Sequence, residues 1–138
     1  MSKFDIFINM KVTIKHINSD IPEDNYNFFN DYINYLQKVC PLKKDLTIIF
    51  RGDRVNNMTT GVRHDNSEIS VLSKGRMNRD ILRTLTHEWI HEYQRTILNR
   101  ERGGDIGGQN EDEANAKSGE IIKRFEKSHP NEEPKMYD

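Results

Sequence analysis

The chain has 138 residues, of which 34% are hydrophobic and 31% are charged, and this length predicts a single domain. The balance of 21 basic and 22 acidic side chains argues against a strongly basic nucleic-acid binder. A single cysteine, Cys40, excludes an internal disulfide framework and a cysteine-only zinc site. No apolar run approaches the roughly 20 residues of a membrane span, and the first residues make a poor signal peptide, so we expect a cytoplasmic protein without a membrane partner.

The first half of the chain alternates strand patterns with a helix pattern. Residues 4–17 carry apolar side chains at alternate positions, which predicts one strand or a bent pair. After Pro22 the apolar residues recur every three or four positions, which predicts an amphipathic helix that ends near Pro41. Two short apolar runs at residues 46–50 and 68–72 predict strands, and the residues between them read as a turn region.

The second half predicts two helices joined by a Gly-rich connection. An apolar stripe predicts a long helix over residues 79–99, with Asn78 as its N-cap. The four glycines that follow are expected to form either a lid or only a linker. A last helix is predicted over residues 111–127, and residues 129–138 are expected to be a flexible tail. The order of elements predicts an α+β fold, with one domain over residues 1–128 and a small sheet packed on helices.

A metal-binding pattern lies inside the predicted long helix. Residues 87–91 read His-Glu-Trp-Ile-His, the motif HExxH. Histidines four residues apart lie on one helix face, so the imidazoles of His87 and His91 can meet a single ion, and zinc favours such nitrogen ligands. Glu88 can reach a water on that ion without ligating it, as metal-assisted hydrolysis requires. Two unconnected surface histidines are the alternative interpretation, and Trp89 belongs to the apolar stripe.

Carboxylates near the start of the last predicted helix offer a third ligand. Helix geometry places Glu111 on the face of that helix that packs inward, whereas Glu113 falls on the solvent side. Glu113 is instead expected to complete a capping box with Asn110 as the N-cap. Glu111 is therefore the ligand candidate. Asn115, one turn further, is placed to orient a histidine ligand through a hydrogen bond.

Together, the HEWIH motif and the following Glu-x-x-Ala-Asn sequence resemble the gluzincin class of zinc metallopeptidases, and the second motif is similar to that of small ImmA/IrrE-type enzymes. The resemblance covers about residues 65–127. It implies a minimal zincin fold, in which a small, mostly antiparallel sheet packs on the HExxH helix and on a C-terminal ligand helix. It also implies that an edge strand before the motif helix, here residues 68–72, pairs with an extended peptide or protein substrate.

The same resemblance assigns roles to four side chains. It implies that His87, His91 and Glu111 bind Zn²⁺ and that Glu88 is the general base of peptide-bond hydrolysis. The chain departs from the thermolysin-like pattern by having an asparagine at position 115, where that pattern has aspartate.

Three other interpretations stay open. The first is a non-catalytic zinc domain that binds a regulatory or other partner. The second is a peptide deformylase, which also carries HExxH and has an upstream cysteine ligand; Cys40 lacks the surroundings of such a ligand and suits a packing role better. The third is a nucleic-acid-associated protease, for which six arginines are the only support: Arg76, Arg79, Arg83, Arg95, Arg100 and Arg102. No aromatic residues alternate with these arginines, so we interpret them as a solvated face.

Peptide hydrolysis also needs a donor that stabilises the oxyanion of the reacting carbonyl. The candidates near the motif in sequence are His64, Arg63, Arg83 and Tyr93. Arg83 lies one turn before His87 on the same side of the helix, whereas Tyr93 belongs to the apolar stripe. The sequence gives no indication of the oligomeric state.

Overall fold

The computed structural model describes residues 10–56, 58–100 and 108–138. Residues 4–9, the first part of the strand or bent pair predicted over 4–17, lie outside the described residues, as do most of the Gly-rich connection at 103–108 and Arg102. The described ranges contain four strands, β1 (Val12–Ile17), β2 (Leu46–Arg51), β3 (Gly61–His64) and β4 (Glu68–Leu72). They also contain three α-helices, α1 (Tyr26–Val39), α2 (Asn78–Thr96) and α3 (Gln109–Ser128), and two 3-10 helices, Glu23–Asn25 and Pro130–Tyr137.

The predicted α+β class is confirmed, but the predicted direction of the strands is wrong. The strands are ordered β1-β2-β4-β3, with β1, β2 and β4 parallel and only β3 antiparallel to its neighbour. The reason is the connection between β1 and β2, which passes through α1 and so returns the chain in the same direction. The sheet is therefore mixed and mostly parallel, not mostly antiparallel.

The strand nearest the sheet edge is also different from the predicted one. Residues 68–72 form β4, but β4 lies between β2 and β3 and is paired on both sides. The edge strand on that side of the sheet is β3, within a region that the sequence marks as a turn. β3 has four residues, of which one is glycine, one arginine and one histidine, so its strand pattern is weak. A short turn, in which Ser67 adopts a φ of 59°, joins it to β4.

A single core joins the sheet to the helices. β2 and β4 are buried along almost their whole length, as expected for inner strands of a parallel sheet. Trp89 on α2 is fully buried and donates a hydrogen bond from Nε1 to the carbonyl oxygen of Cys40, at 2.8 Å. Cys40 is itself buried in this core, which confirms its packing role. In the described ranges, no helix combines the length and apolarity needed to cross a membrane.

The predicted flexible tail is wrong, because the last residues form a packed 3-10 helix. Met136 is fully buried in the common core. The backbone N–H of Asn78 donates to the carbonyl oxygen of Asp138 at 2.8 Å, and its side-chain amide donates to the carbonyl of Lys135 at 3.0 Å. Asn78 is thus the first residue of α2, not its N-cap, and Asp138 satisfies one of the N–H groups that a helix start leaves open. The packed domain therefore continues beyond residue 128.

An acidic contact in this C-terminal segment makes stability depend on pH. Burial raises the pKa of Glu132 to about 7. The hydrogen bond that its protonated carboxyl donates to Asp31 on α1, and the like charge of Asp31, contribute to this rise, and Lys135 opposes it. A carboxyl group whose pKa is higher in the folded than in the unfolded protein favours unfolding as pH rises between those two values. This group therefore costs no stability near pH 4.5 and costs most above about pH 7.

We expect the Glu132→Gln variant to unfold at a higher temperature than wild type at pH 8, because its amide can donate to Asp31 without carrying charge. The difference should disappear near pH 4.5, as measured by thermal unfolding in a pH series. Glu133→Gln, an exposed neighbour, is the control and should change little at either pH. An equal difference at both pH values would show that the ionisation of Glu132 is not the cause.

Candidate metal centre

Helix α2 separates a buried apolar stripe from a face that carries the HExxH side chains. The stripe consists of Ile81, Leu82, Leu85, Trp89 and Ile90, all buried. This packing turns His87 and His91 outward, with 21% and 19% of their side chains exposed. The predicted helix is confirmed, ending at Thr96 where residue 99 had been expected.

Helix α3 runs beside α2 and brings Glu111 to the two histidines. Its inward face consists of the residues that the periodicity predicts: Ala114, Ser118, Ile121, Ile122 and Phe125. Glu111 lies in the first turn, with its side chain 38% exposed. The burial of the apolar face therefore fixes the rotation of α3, and this rotation points Glu111 at α2.

The three predicted ligand side chains meet. Nε2 of His91 lies 2.7 Å from Oε1 of Glu111, and Nε2 of His87 lies 3.1 Å from Oε2 of the same carboxylate. The two Nε2 atoms are 3.1 Å apart. Among the described residues, this is the one cluster of three or more histidine, cysteine or acidic side chains with ligand atoms within 4.8 Å of one another.

This donor set fits a divalent ion such as zinc. Ligand bonds of about 2.0–2.1 Å in a tetrahedral zinc site hold the ligand atoms roughly 3.3 Å apart, close to the spacing of these three side chains. When each neutral ring carries its proton on Nδ1, the two Nε2 atoms and the carboxylate oxygens are all acceptors, so their approach is favourable when a cation lies between them. Three protein ligands with a fourth position for water is the pattern of catalytic zinc sites.

The electrostatic surroundings of His87 favour its neutral, ligating form. Burial lowers the pKa of His87, and the nearby His91 lowers it further. Glu111 opposes this shift through its charge and its hydrogen bond, as does a side-chain hydrogen bond with Asn115. The predicted contact between Asn115 and a histidine of the motif is therefore present.

The predicted capping box at the start of α3 is wrong. The helix begins at Gln109 with Gly108 as its N-cap, so Asn110 lies inside the first turn. Glu113 is not on a free solvent face: its Oε2 accepts a hydrogen bond from Arg100 at 2.9 Å, and this bond is the main reason that its pKa is lowered. The sequence could not show this, because Arg100 reaches Glu113 only through the turn that ends α2.

Sequence reasoning also missed Gln94. Its side chain is buried between α2 and α3, where Oε1 lies 2.9 Å from Nδ1 of His91. The spacing of three residues after His91 was the available signal, since residues i and i+3 are neighbours on a helix. A glutamine at that spacing has no motif of its own.

Glu88 lies beside the edge strand. A Cβ atom placed on Gly61 of β3 would come within 3.3 Å of Cγ of Glu88 and would clash with the side chain of Thr84. The strand passes this close to α2 because position 61 has no side chain. Glu88 is therefore next to the first histidine along the helix and next to β3 in space.

The oxyanion candidates occupy different environments. Arg63 has a 4% exposed side chain that donates to Glu92 on α2 at 2.7 Å and to Asp65 at 3.1 Å, so it ties β3 to the helix. Tyr93 packs against the core. Arg83 is exposed on the His87 side of α2, and His64 ends β3.

Most of the arginines that invited a nucleic-acid interpretation have partners within the chain. Arg79 contacts Glu126, Arg95 contacts Asp65, and Arg100 contacts Glu113. Arg76 donates to the carbonyl of Leu72 and to the hydroxyl of Thr84.

Comparison with known proteins adds no family to this picture. No protein-family model, curated protein or solved structure matches the chain.

Proposed function

We propose that this chain is a zinc-dependent peptidase, in which His87, His91 and Glu111 hold the zinc and Glu88 is the general base. The observation that carries the proposal is the convergence of two Nε2 atoms and one carboxylate, from two helices, within 2.7–3.1 Å. A structural zinc site generally fills all four positions with protein ligands, whereas a three-ligand set next to an acidic residue suits hydrolysis.

In the proposed reaction, the metal and Glu88 have separate roles. Bound zinc would supply Lewis acidity, which lowers the pKa of water and polarises a carbonyl group. Glu88 takes the proton of the attacking water and returns it to the leaving amine. Glu88 directly follows His87 on α2 and is not itself a member of the ligand cluster.

The proposed path for the substrate lies along β3 and not along β4. An extended peptide can pair with a sheet only at an edge strand, and β4 is paired on both sides. The two edge strands among the described residues are β1 and β3, and β3 is the one that Gly61 brings beside Glu88. A peptide or protein that adds to this edge would place its backbone next to the general base.

Metal analysis tests the ligand set. We expect one zinc ion per chain after reconstitution of chelator-treated protein, and at least about a 100-fold loss of zinc affinity in Glu111→Gln, because ligands contribute more than their supporting residues. Asp112→Asn is the matched control, since Asp112 is the adjacent exposed carboxylate in the same helical turn. Equal zinc affinity in both variants would place the third ligand elsewhere.

Cleavage of a random peptide library by the zinc-loaded protein, with products identified by mass spectrometry, tests the chemistry. Peptide-bond hydrolysis should occur with zinc and stop after its removal. One bound zinc ion without any cleavage would favour the alternative of a non-catalytic zinc domain that binds a partner.

A further inference from the structure

A buried amide connects the second histidine of the motif to the helix that carries Glu111. The side chain of Gln94 is almost fully buried, at 2% exposure. Its Oε1 lies 2.9 Å from Nδ1 of His91, and its Nε2 lies 3.0 Å from the carbonyl oxygen of Asn110. One side chain on α2 thus reaches both a ring of the cluster and the first turn of α3.

The partners of this amide determine which of its atoms faces His91. A backbone carbonyl oxygen only accepts hydrogen bonds, so the atom beside Asn110 has to be the Nε2 donor. Oε1 is then the atom beside the imidazole, and it accepts a hydrogen bond from Nδ1–H of His91. With a proton held on Nδ1, the neutral ring presents the Nε2 lone pair, which points at Glu111.

A second layer of hydrogen bonds holds the amide in this orientation. Glu113 lies 3.4 Å from Nε2 of Gln94 and is itself held by Arg100 at 2.9 Å. The backbone N–H of Arg100 donates to the carbonyl oxygen of Gln94 at 2.9 Å. Asn99, with a φ of 55°, is in the left-handed region that asparagine tolerates, and this turn brings Arg100 back towards α3.

We propose that Gln94 is a positioning residue of the metal centre, which holds His91 with Nδ1 protonated and fixes its ring against the helix turn that carries Glu111. The role at the metal rests on the proposed function, whereas the hydrogen bond to His91 does not. Partners that orient ligating histidines typically contribute about 10–100-fold to metal affinity. Gln94 would therefore act on zinc binding without touching the ion.

Proton NMR of metal-free protein with ¹⁵N-labelled histidine tests the hydrogen bond directly. We expect a His91 Nδ1–H signal that is protected from exchange in wild type, assigned by its loss in His91→Ala. Gln94→Met keeps the side-chain volume but has no acceptor for this proton, so the protected signal should disappear. A wild-type His91 that is protonated only at Nε2, or a protected signal that survives in Gln94→Met, would overturn the proposal.

Zinc affinity gives the second measurement. Gln94→Met should bind zinc about 10–100-fold more weakly than wild type. Gln37→Met is the matched control, because the Gln37 amide on α1 also makes two hydrogen bonds, to the backbone of Leu42 at 3.1 and 3.2 Å. This control should lower stability and leave zinc affinity unchanged. Wild-type affinity in Gln94→Met contradicts the positioning role.

The two measurements separate the two proposals. If wild type binds no zinc, the proposed function fails, while the spectrum of the metal-free protein still decides whether Gln94 holds His91. If Gln94→Met does not fold, the wild-type spectrum still shows which nitrogen of His91 carries the proton, and a proton on Nε2 alone would overturn the proposal.

Discussion

Replacing Glu88 by glutamine is expected to stop peptide hydrolysis and to leave zinc bound. The amide is nearly isosteric with the carboxylate but cannot take a proton from water, and general-base catalysis typically contributes about 10²–10⁴-fold to the rate. Glu88 is not a member of the ligand cluster formed by His87, His91 and Glu111. The affinity for zinc should therefore stay about the same as in wild type. Rates of peptide cleavage and zinc content, measured on the same preparations, check both parts.

Glu120→Gln provides the matched control for this variant. Glu120 is an exposed glutamate of α3 whose partner is Arg124, one turn further along the same helix. Its replacement should change neither the cleavage rate nor the zinc content. A wild-type rate in Glu88→Gln would remove Glu88 from the mechanism, even if zinc binding were demonstrated.

The largest effect on stability is expected from breaking the ion pair between Arg63 on β3 and Glu92 on α2. Both side chains are buried, at 4% and 2% exposure, and the Arg63 Nε lies 2.7 Å from Glu92 Oε1. Arg63→Met would leave the Glu92 carboxylate without this partner in the interior. Such a change typically costs about 3–5 kcal/mol of folding free energy. Urea unfolding followed by circular dichroism measures this cost.

The double variant Arg63→Met/Glu92→Met shows how much of the lost stability comes from leaving the Glu92 carboxylate buried without a partner. Replacing both partners of a buried pair by apolar residues is often neutral or stabilising, so we expect most of the lost stability to return. If the double variant is as unstable as Arg63→Met alone, the packing of the arginine stem, and not the ion pair, holds β3 to the helix.

This ion pair also bears on the proposed site. Glu92 directly follows His91 in the sequence, and Arg63 lies two residues after Gly61, where β3 passes Glu88. The pair therefore holds the edge strand beside Glu88, the proposed general base. Its loss should disturb substrate binding along β3 before it disturbs the ligand cluster.

The parts of the site that the sequence predicts are those that depend on helical periodicity. The positions of His87 and His91 follow from a spacing of four residues. The direction of Glu111 follows from the apolar face of α3, whose five buried residues are those expected. Local patterns of this kind fix the rotation of a helix about its axis. Whether zinc occupies the cluster stays a prediction.

The parts that the sequence does not predict depend on contacts between distant segments. Short strands do not encode the direction of their neighbours, so the parallel pairing of β1 with β2 and the edge position of β3 were missed. The role of Gln94 exists only because α2 and α3 lie side by side. The packing of Met136 could not be recognised because only Met136 and Tyr137 are hydrophobic in a short segment with two prolines.

The hydrogen bond from the backbone N–H of Asn78 to the carbonyl oxygen of Asp138 ties the C-terminal 3-10 helix to the start of α2. Displacement of the 3-10 helix Pro130–Tyr137 would remove this acceptor from the first turn of the helix that carries the HExxH residues. A substitution at the buried Met136 would therefore act on the helix that holds both histidines, although it lies far from them in sequence.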